Sequence, residues 1–137
     1  MNRLLGICVL LASAACASRL PDMPSNASVG ARSVLGTPRV EANAAAPKIL
    51  TMRFSTLDVH RGSTWSGQFL TGTNVASVEV RTSLFSIDVP RTDYGRFAFK
   101  VNVLDVPPIF IRPYRLRVLA RNSAGAIDEE DLPMWIR

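Results

Sequence analysis

Few side chains in this sequence could take part in catalysis, and they lie far apart. His60 is the only histidine among the 137 residues, and it stands just before the turn-like Arg61-Gly62-Ser63. A catalytic triad or an imidazole metal site needs partners, and both cysteines, Cys8 and Cys16, fall within the first sixteen residues. We therefore expect His60 to be an exposed loop residue, and the sequence predicts no catalytic residue, no metal site and no cofactor.

The densest acidic cluster is the run Asp128-Glu129-Glu130-Asp131. Carboxylates can bind calcium, so a calcium site is one interpretation of this run. Consecutive residues of a strand point to opposite faces, however, so four in a row cannot converge on one ion. We expect instead that the run protects a terminal strand from edge-to-edge association.

Arginine dominates the basic residues, and it accounts for fourteen of the sixteen that give the chain its net charge of +5. Four arginines precede or project from one predicted strand and form the candidate binding surface: Arg112, Arg115, Arg117 and Arg121. Arginine can bind both oxygens of a phosphate or carboxylate, so this surface would suit an anionic partner. The alternative is a solvated face on which Glu79 pairs with Arg115 or Arg117 and the acidic run neutralises the rest.

The elements that must position these residues are β-strands, because apolar and polar residues alternate with a period of two from Pro47 onward. Turn residues such as Thr71–Asn74 separate seven segments of this kind. The segments are marked by residues 49–54, then Trp65, Gly67 and Phe69, then Ala76, Val78 and Val80, then Phe85, Ile87 and Val89, then Phe97, Phe99, Val101 and Val103, then Tyr114, Leu116, Val118 and Ala120, and finally residues 132–136. Seven short strands in about ninety residues predict an all-β protein built from two packed antiparallel sheets.

One segment also resembles a known family. Tyr114-Arg-Leu-Arg-Val-Leu-Ala-Arg-Asn122-Ser-Ala-Gly125 is similar to the F strand and F–G turn of immunoglobulin-like and fibronectin-type-III-like domains, which run Tyr-x-Leu-x-Val-x-Ala-x-Asn-x-x-Gly. The resemblance implies an immunoglobulin-like antiparallel β-sandwich of about seven strands. It also implies that Tyr114 is a tyrosine corner whose hydroxyl bonds to nearby backbone. Asn122 and Gly125 are expected to adopt the positive φ of a tight hairpin.

The first sixteen residues have the pattern of an export signal. A basic start at Met1–Arg3, an apolar run over Leu4–Ala12 and small residues after it predict a secretory signal peptide over residues 1–15. Ser13-Ala14-Ala15-Cys16 resembles the bacterial lipobox, which implies lipidation of Cys16 and attachment to a membrane. By the same resemblance, Ala17 in the next position favours the outer membrane. The alternative is ordinary signal cleavage, which would give a periplasmic or secreted protein.

Residues 16–46 differ in composition from the remainder of the chain. Alanine, serine, asparagine, proline and glycine dominate, aromatic residues are absent, and no periodic pattern persists. Such a segment cannot bury enough surface to offset its ordering entropy, so we predict a flexible tether about 30 Å in mean length. The folded domain is then expected to span residues 47–137.

Together these features predict an envelope lipoprotein that displays a non-catalytic binding or structural module. Its partners would be an envelope protein or an anionic envelope component, and the membrane through the lipid on Cys16. Nucleic acid is not expected, since no aromatic residues interleave the arginines to stack bases. A second hypothesis is a secreted inhibitor or accessory subunit of an enzyme that uses the loops Arg61–Ser66, Thr71–Asn74 and Pro107–Pro113. A third is an enzyme with two carboxylates drawn from a dispersed set: Asp58, Asp88, Asp93 and Asp105.

Overall fold

The computed structural model of the chain describes residues 35–137, so the predicted signal peptide, Cys16 and the tether up to residue 34 lie outside the described residues. Between residues 35 and 137 the chain forms nine strands and a short 3-10 turn, Pro108–Phe110. The strands are β1 (Ile49–Phe54), β2 (Asp58–Val59), β3 (Thr64–Thr71), β4 (Val75–Arg81), β5 (Ser86–Val89), β6 (Arg91–Asp93), β7 (Arg96–Asn102), β8 (Pro113–Asn122) and β9 (Ile127–Ile136). No helix in this part of the chain has the length and apolar composition needed to cross a bilayer.

The strands form two sheets that pack face to face. The four-stranded sheet has the order β1-β3-β7-β6, and the five-stranded sheet has the order β2-β9-β8-β4-β5. Neighbouring strands are antiparallel except for β2, which pairs in parallel with the end of β9. The prediction of an all-β sandwich with two sheets is confirmed. The number of strands is nine rather than about seven, because β2 and β6 are too short to show an alternating pattern.

The alternation of β4 predicts one core position wrongly. The sequence predicts Ala76 on the buried face with Val78 and Val80, whereas Val75 is buried and Ala76 is exposed. The pairing of β4 with β8 is interrupted between Val75 and Ser77. An irregularity of this kind changes which residues face the core, so the two-residue period fails at the start of the strand.

The core combines an aromatic layer with an aliphatic one. Trp65, Phe69, Phe97 and Phe99 extend from the four-stranded sheet, and they meet aliphatic side chains of the other sheet such as Leu116. The indole Nε1 of Trp65 donates a hydrogen bond to the carbonyl of Thr56 at 2.9 Å, so its one polar atom is satisfied inside the core. Gly67 leaves room for the aromatic layer, since a Cβ there would overlap the ring of Phe99.

Residues 35–46 differ from the predicted tether, because they are held against one end of the sandwich. Leu35 is buried, and Arg39 forms a bridge with Gly72 just after β3. The carbonyl of Ala45 accepts hydrogen bonds from the side-chain amides of Asn74 at 2.7 Å and Asn122 at 3.0 Å. This segment is held mainly by hydrogen bonds to its backbone carbonyls, which leave no pattern of apolar residues in the sequence. Hydrophobic periodicity therefore does not predict that the segment packs against the sandwich.

Candidate interaction surfaces

Three of the four candidate arginines share the outer face of the five-stranded sheet, and each lies close to a carboxylate. Arg115 Nη1 is 3.6 Å from Asp131, Arg117 Nε is 3.3 Å from Glu129, and Arg121 Nη1 is 2.8 Å from Glu79. Charge on this face is therefore largely balanced within the sheet. Most of these pairs are exposed to solvent, where ion pairs add little to stability.

Arg112 is separate from the other three. It precedes β8, and its guanidinium lies over the ring of Tyr114, 5.2 Å from the ring centroid. Tyr114 is buried and belongs to the core, whereas Arg115 and Arg117 point to the outer face. The structure thus does not bring the four predicted residues together into one basic patch.

Glu79 is the centre of a small polar cluster on the outer face. Its carboxylate accepts hydrogen bonds from Ser86 Oγ at 2.6 Å, from Arg121 Nη1 at 2.8 Å and from Arg81 Nη2 at 2.6 Å. The expected pairing with Arg115 or Arg117 is wrong, because the register of β4 and β8 places Glu79 opposite Leu119. The hydrogen bond from Ser86, together with those from the two arginines, lowers the pKa of Glu79 from 4.5 to about 2 despite its burial.

Replacing Glu79 by glutamine is expected to lower the free energy of unfolding by about 1–3 kcal/mol at neutral pH, because several hydrogen bonds to a charged group are lost. The folded-state pKa of about 2 lies below the unfolded value near 4.5, so the charged carboxylate stabilises the fold above that unfolded value. This stabilisation is lost as the pH falls from 4.5 toward 2, and urea denaturation of the two proteins should converge there. Asp88→Asn, which changes the exposed residue opposite Glu79, is the matched control. A difference between wild type and E79Q that stays constant down to the lower pH would contradict this account.

The acidic run divides between the two sides of β9, as the strand geometry requires. Glu129 and Asp131 point to the outer face and contact Arg117. Asp128 points the other way, and its Oδ2 accepts a hydrogen bond from the backbone amide of Ile49 at 2.7 Å. Within residues 35–137 no three histidine, cysteine or acidic side chains form a group that could hold a metal ion.

Tyr114, Asn122 and Gly125 act on the backbone around β8. The Tyr114 hydroxyl donates to the carbonyl of Phe110 at 3.0 Å, across the connection that precedes the strand. Gly125 has the expected positive φ, at 85°. The expectation that Asn122 also has a positive φ is wrong, because between residues 35 and 137 only glycines do. Asn122 instead shapes the turn through its side-chain oxygen, which accepts hydrogen bonds from the amides of Ala124 and Ala126.

The three loops proposed for an inhibitor differ in how far they are exposed to a partner. In Arg61–Ser66, Arg61 and Gly62 are exposed, whereas the residues from Thr64 onward belong to β3 and Trp65 is buried. In Thr71–Asn74, Thr71 and Asn74 are buried, and the N-terminal segment is hydrogen-bonded to this loop. His60 is exposed, and its backbone carbonyl accepts hydrogen bonds from the hydroxyl and the amide of Ser63.

The connection from β7 to β8 presents an apolar surface that the sequence does not predict. Leu104 is 78% exposed, Ile109 is 76% exposed and Ile111 is 39% exposed. The amide of Phe110 donates to the carbonyl of Pro107 at 3.0 Å, and that of Ile111 donates to Pro108 at 3.0 Å, so the turn is fixed. We call residues 103–112 the apolar tip. Apolar residues are usually expected inside, and no sequence pattern distinguishes these three from core residues.

The apolar tip lies at the opposite end of the sandwich from the N-terminal segment. Residues 35–48 contact the end of β3 and the end of β8, whereas the apolar tip follows the end of β7 and precedes β8. No family model matches the chain, and no curated protein matches it. The arrangement of these surfaces is therefore the basis for a functional proposal.

Proposed function

We propose that the protein is a bacterial envelope lipoprotein whose immunoglobulin-like sandwich is a non-catalytic interaction module. The strand order supports the immunoglobulin-like relationship, because β1-β3-β7-β6 and β9-β8-β4 correspond to the A-B-E-D and G-F-C orders of constant-type domains. The hydrogen bond from Tyr114 to Phe110 supports it too, since a tyrosine corner forms the same kind of contact. The core disulfide of antibody domains has no counterpart, because neither cysteine lies beyond residue 16.

The observation that carries the proposal is the exposed apolar tip at the end remote from the N-terminal segment. A lipid on Cys16 would attach the chain to a membrane, with the outer membrane favoured, and residues 17–34 would connect it to the sandwich. Exposed aliphatic side chains on a fixed turn are typical of protein-binding surfaces, because burial in a partner removes them from water. The partner is then an envelope protein with an apolar depression. The ion-paired arginine face gives less support to an anionic ligand.

One observation favours the second candidate, an inhibitor or accessory subunit of an enzyme. Ile109 is exposed at the centre of the hydrogen-bonded 3-10 turn Pro108–Phe110, and a turn already fixed in one conformation loses little entropy on entering a cleft. Of the three loops, Pro107–Pro113 carries the exposed aliphatic side chains, while Arg61–Ser66 is exposed in part and Thr71–Asn74 is largely covered. Inhibition of a periplasmic hydrolase at a stoichiometric amount of the protein would favour this candidate.

A photoreactive amino acid at position 109 of the full chain tests the proposed surface. In living cells it is expected to give a discrete crosslinked product with an envelope protein, and Leu104→Asp should remove that product by making the tip polar. The same photoreactive residue at position 100, where the native Lys100 is exposed on β7, is the matched control. Equal labelling from both positions, or a product unaffected by Leu104→Asp, would contradict a role for the apolar tip.

Attachment to the membrane has its own test. Cys16→Ser is expected to move the protein from the membrane fraction to the soluble fraction, because a thioether-linked lipid can no longer form. Cys8→Ser is the control, since that cysteine lies within the predicted signal peptide. Unchanged detergent partitioning of the Cys16 variant would refute lipidation and leave the test of the apolar tip intact.

A further inference from the structure

The sandwich has four sheet edges, and they differ in how they are protected. β6 has three residues, and β5 has four and is followed by Pro90. The fourth edge consists of the two-residue β2 and the part of β9 that precedes its pairing with β2, which carries the acidic run and Pro133, and such residues discourage pairing with another strand. β1 has six residues with one charged side chain, Arg53, and no proline. Among the described residues, β1 is thus the least protected edge.

The pairing of β1 with β3 determines which backbone groups remain available. The amide of Ser55 donates to the carbonyl of Ser66 at 2.9 Å, so Ser55 faces β3. In an antiparallel pair, the backbone N–H and C=O groups of successive residues point alternately toward the partner strand and away from it. Those of Arg53 therefore point toward β3, and those of Met52 and Phe54 point away from it. No strand between residues 35 and 137 pairs with β1 on that side. Two residues therefore offer donors and acceptors in the spacing of a β-ladder.

Acidic side chains of β9 lie beside this open edge. Asp128 contacts the amide of Ile49 at the start of β1. β1 and β9 both begin at the end that holds the N-terminal segment, so they run in the same direction. Glu130 lies two residues further along β9, on the same side as Asp128, and it is exposed. A strand added to β1 would therefore pass close to the carboxylate of Glu130.

We propose that the free edge of β1 binds an extended segment of a partner protein that carries a lysine or arginine. The segment would add a fifth strand to the four-stranded sheet, with backbone hydrogen bonds to Met52 and Phe54 and a cation facing Glu130. A second copy of this chain fits less well. Pairing β1 with β1 would place the apolar Met52 or Phe54 beside Glu130 and would bring two acidic β9 strands together. The edge of β1 is distinct from the apolar tip, so an experiment can refute binding at one of these surfaces and leave binding at the other intact.

The test uses the full chain and two synthetic peptides, acetyl-Thr-Val-Thr-Lys-Thr-Val-Thr-amide and the same sequence with glutamate at the centre. Amide hydrogen exchange measured by NMR should slow at Met52 and Phe54 when the lysine peptide is added, and should not change at Arg53. The lysine peptide should bind about fivefold more tightly than the glutamate peptide, as one favourable charge pair would give.

Two variants separate the parts of the proposal. Met52→Pro removes the outward amide at an edge position and should abolish binding of both peptides. Glu130→Lys changes an exposed side chain, so it should leave the fold intact and reverse the preference between the peptides. An unchanged preference in Glu130→Lys, or no protection at millimolar lysine peptide, would overturn the proposal. It would equally be overturned if Met52 and Phe54 were already protected without peptide, whether by self-association or by the chain's own N-terminal residues.

Discussion

Alanine in place of Phe99 is expected to lower the free energy of unfolding by about 3–5 kcal/mol, the usual effect of removing a buried aromatic ring. Phe99 is 4% exposed, and its ring centroid lies 4.8 Å from that of Trp65 and 6.2 Å from that of Phe69. The cavity would open in the middle of the aromatic layer, where the neighbouring strands leave little freedom to collapse. A domain of this size is stable by about 5–15 kcal/mol, so much of its stability would be lost.

Urea denaturation of the full chain at 25 °C measures this effect. Phe99→Leu keeps most of the side-chain volume and should lose clearly less than the alanine variant. Tyr94→Ala removes an exposed ring and should change the free energy by about 0.5 kcal/mol or less. An unchanged midpoint for Phe99→Ala would mean that this residue is not part of the core.

The second large effect is expected from Asn122→Ala, at about 2–4 kcal/mol. Asn122 is 4% exposed, and its side chain forms hydrogen bonds with Ala45, Ala124 and Ala126. Removing the amide group breaks three hydrogen bonds: the amides of Ala124 and Ala126 lose their acceptor, and the carbonyl of Ala45 keeps only the side-chain amide of Asn74. Each lost hydrogen bond contributes about 0.5–1.5 kcal/mol, so the three contributions add to a substantial loss.

Asn122→Asp is the informative control for this prediction. Aspartate retains an oxygen that can accept from Ala124 and Ala126, but it has no donor for the carbonyl of Ala45. The aspartate variant should therefore keep the turn after β8 and weaken the attachment of residues 35–46, which Asn74 and the backbone after β3 still hold. Limited proteolysis would detect the weaker attachment as faster cleavage in that segment. If the segment remained as resistant as in wild type, the contact with Ala45 would not be what holds it.

The sequence predicts those parts of the fold that depend on burial of alternate side chains. β7 and β8 have long, regular alternation, and the structure has both strands where the pattern indicates them. β2 has only two residues, and residues 35–46 are held largely through their backbone carbonyls, so neither carries an alternating pattern. Their formation depends on the position of the surrounding strands, so a local pattern could not reveal them.

The candidate surfaces, too, could be predicted from the sequence only in part. Alternation correctly places Arg115, Arg117 and Arg121 on one face, but the partner of each depends on register, which the sequence leaves open. The apolar tip escapes prediction because Leu104 and Ile109 are chemically indistinguishable from core residues. Only the three-dimensional structure reveals that neither side chain has a sheet to cover it.

The attachment of residues 35–48 at one end of the sandwich also determines how the molecule would respond to mechanical tension. A pull between that segment and the apolar tip acts along the strands, because the two lie at opposite ends. Interstrand hydrogen bonds are perpendicular to antiparallel strands, so they would be loaded together in shear and not broken one at a time. The carbonyl of Ala45, held by Asn74 and Asn122, would pass part of that load to β8 before β1 could peel away. If the proposed lipid anchor and the proposed partner load these two ends, the sandwich would resist unfolding under that tension.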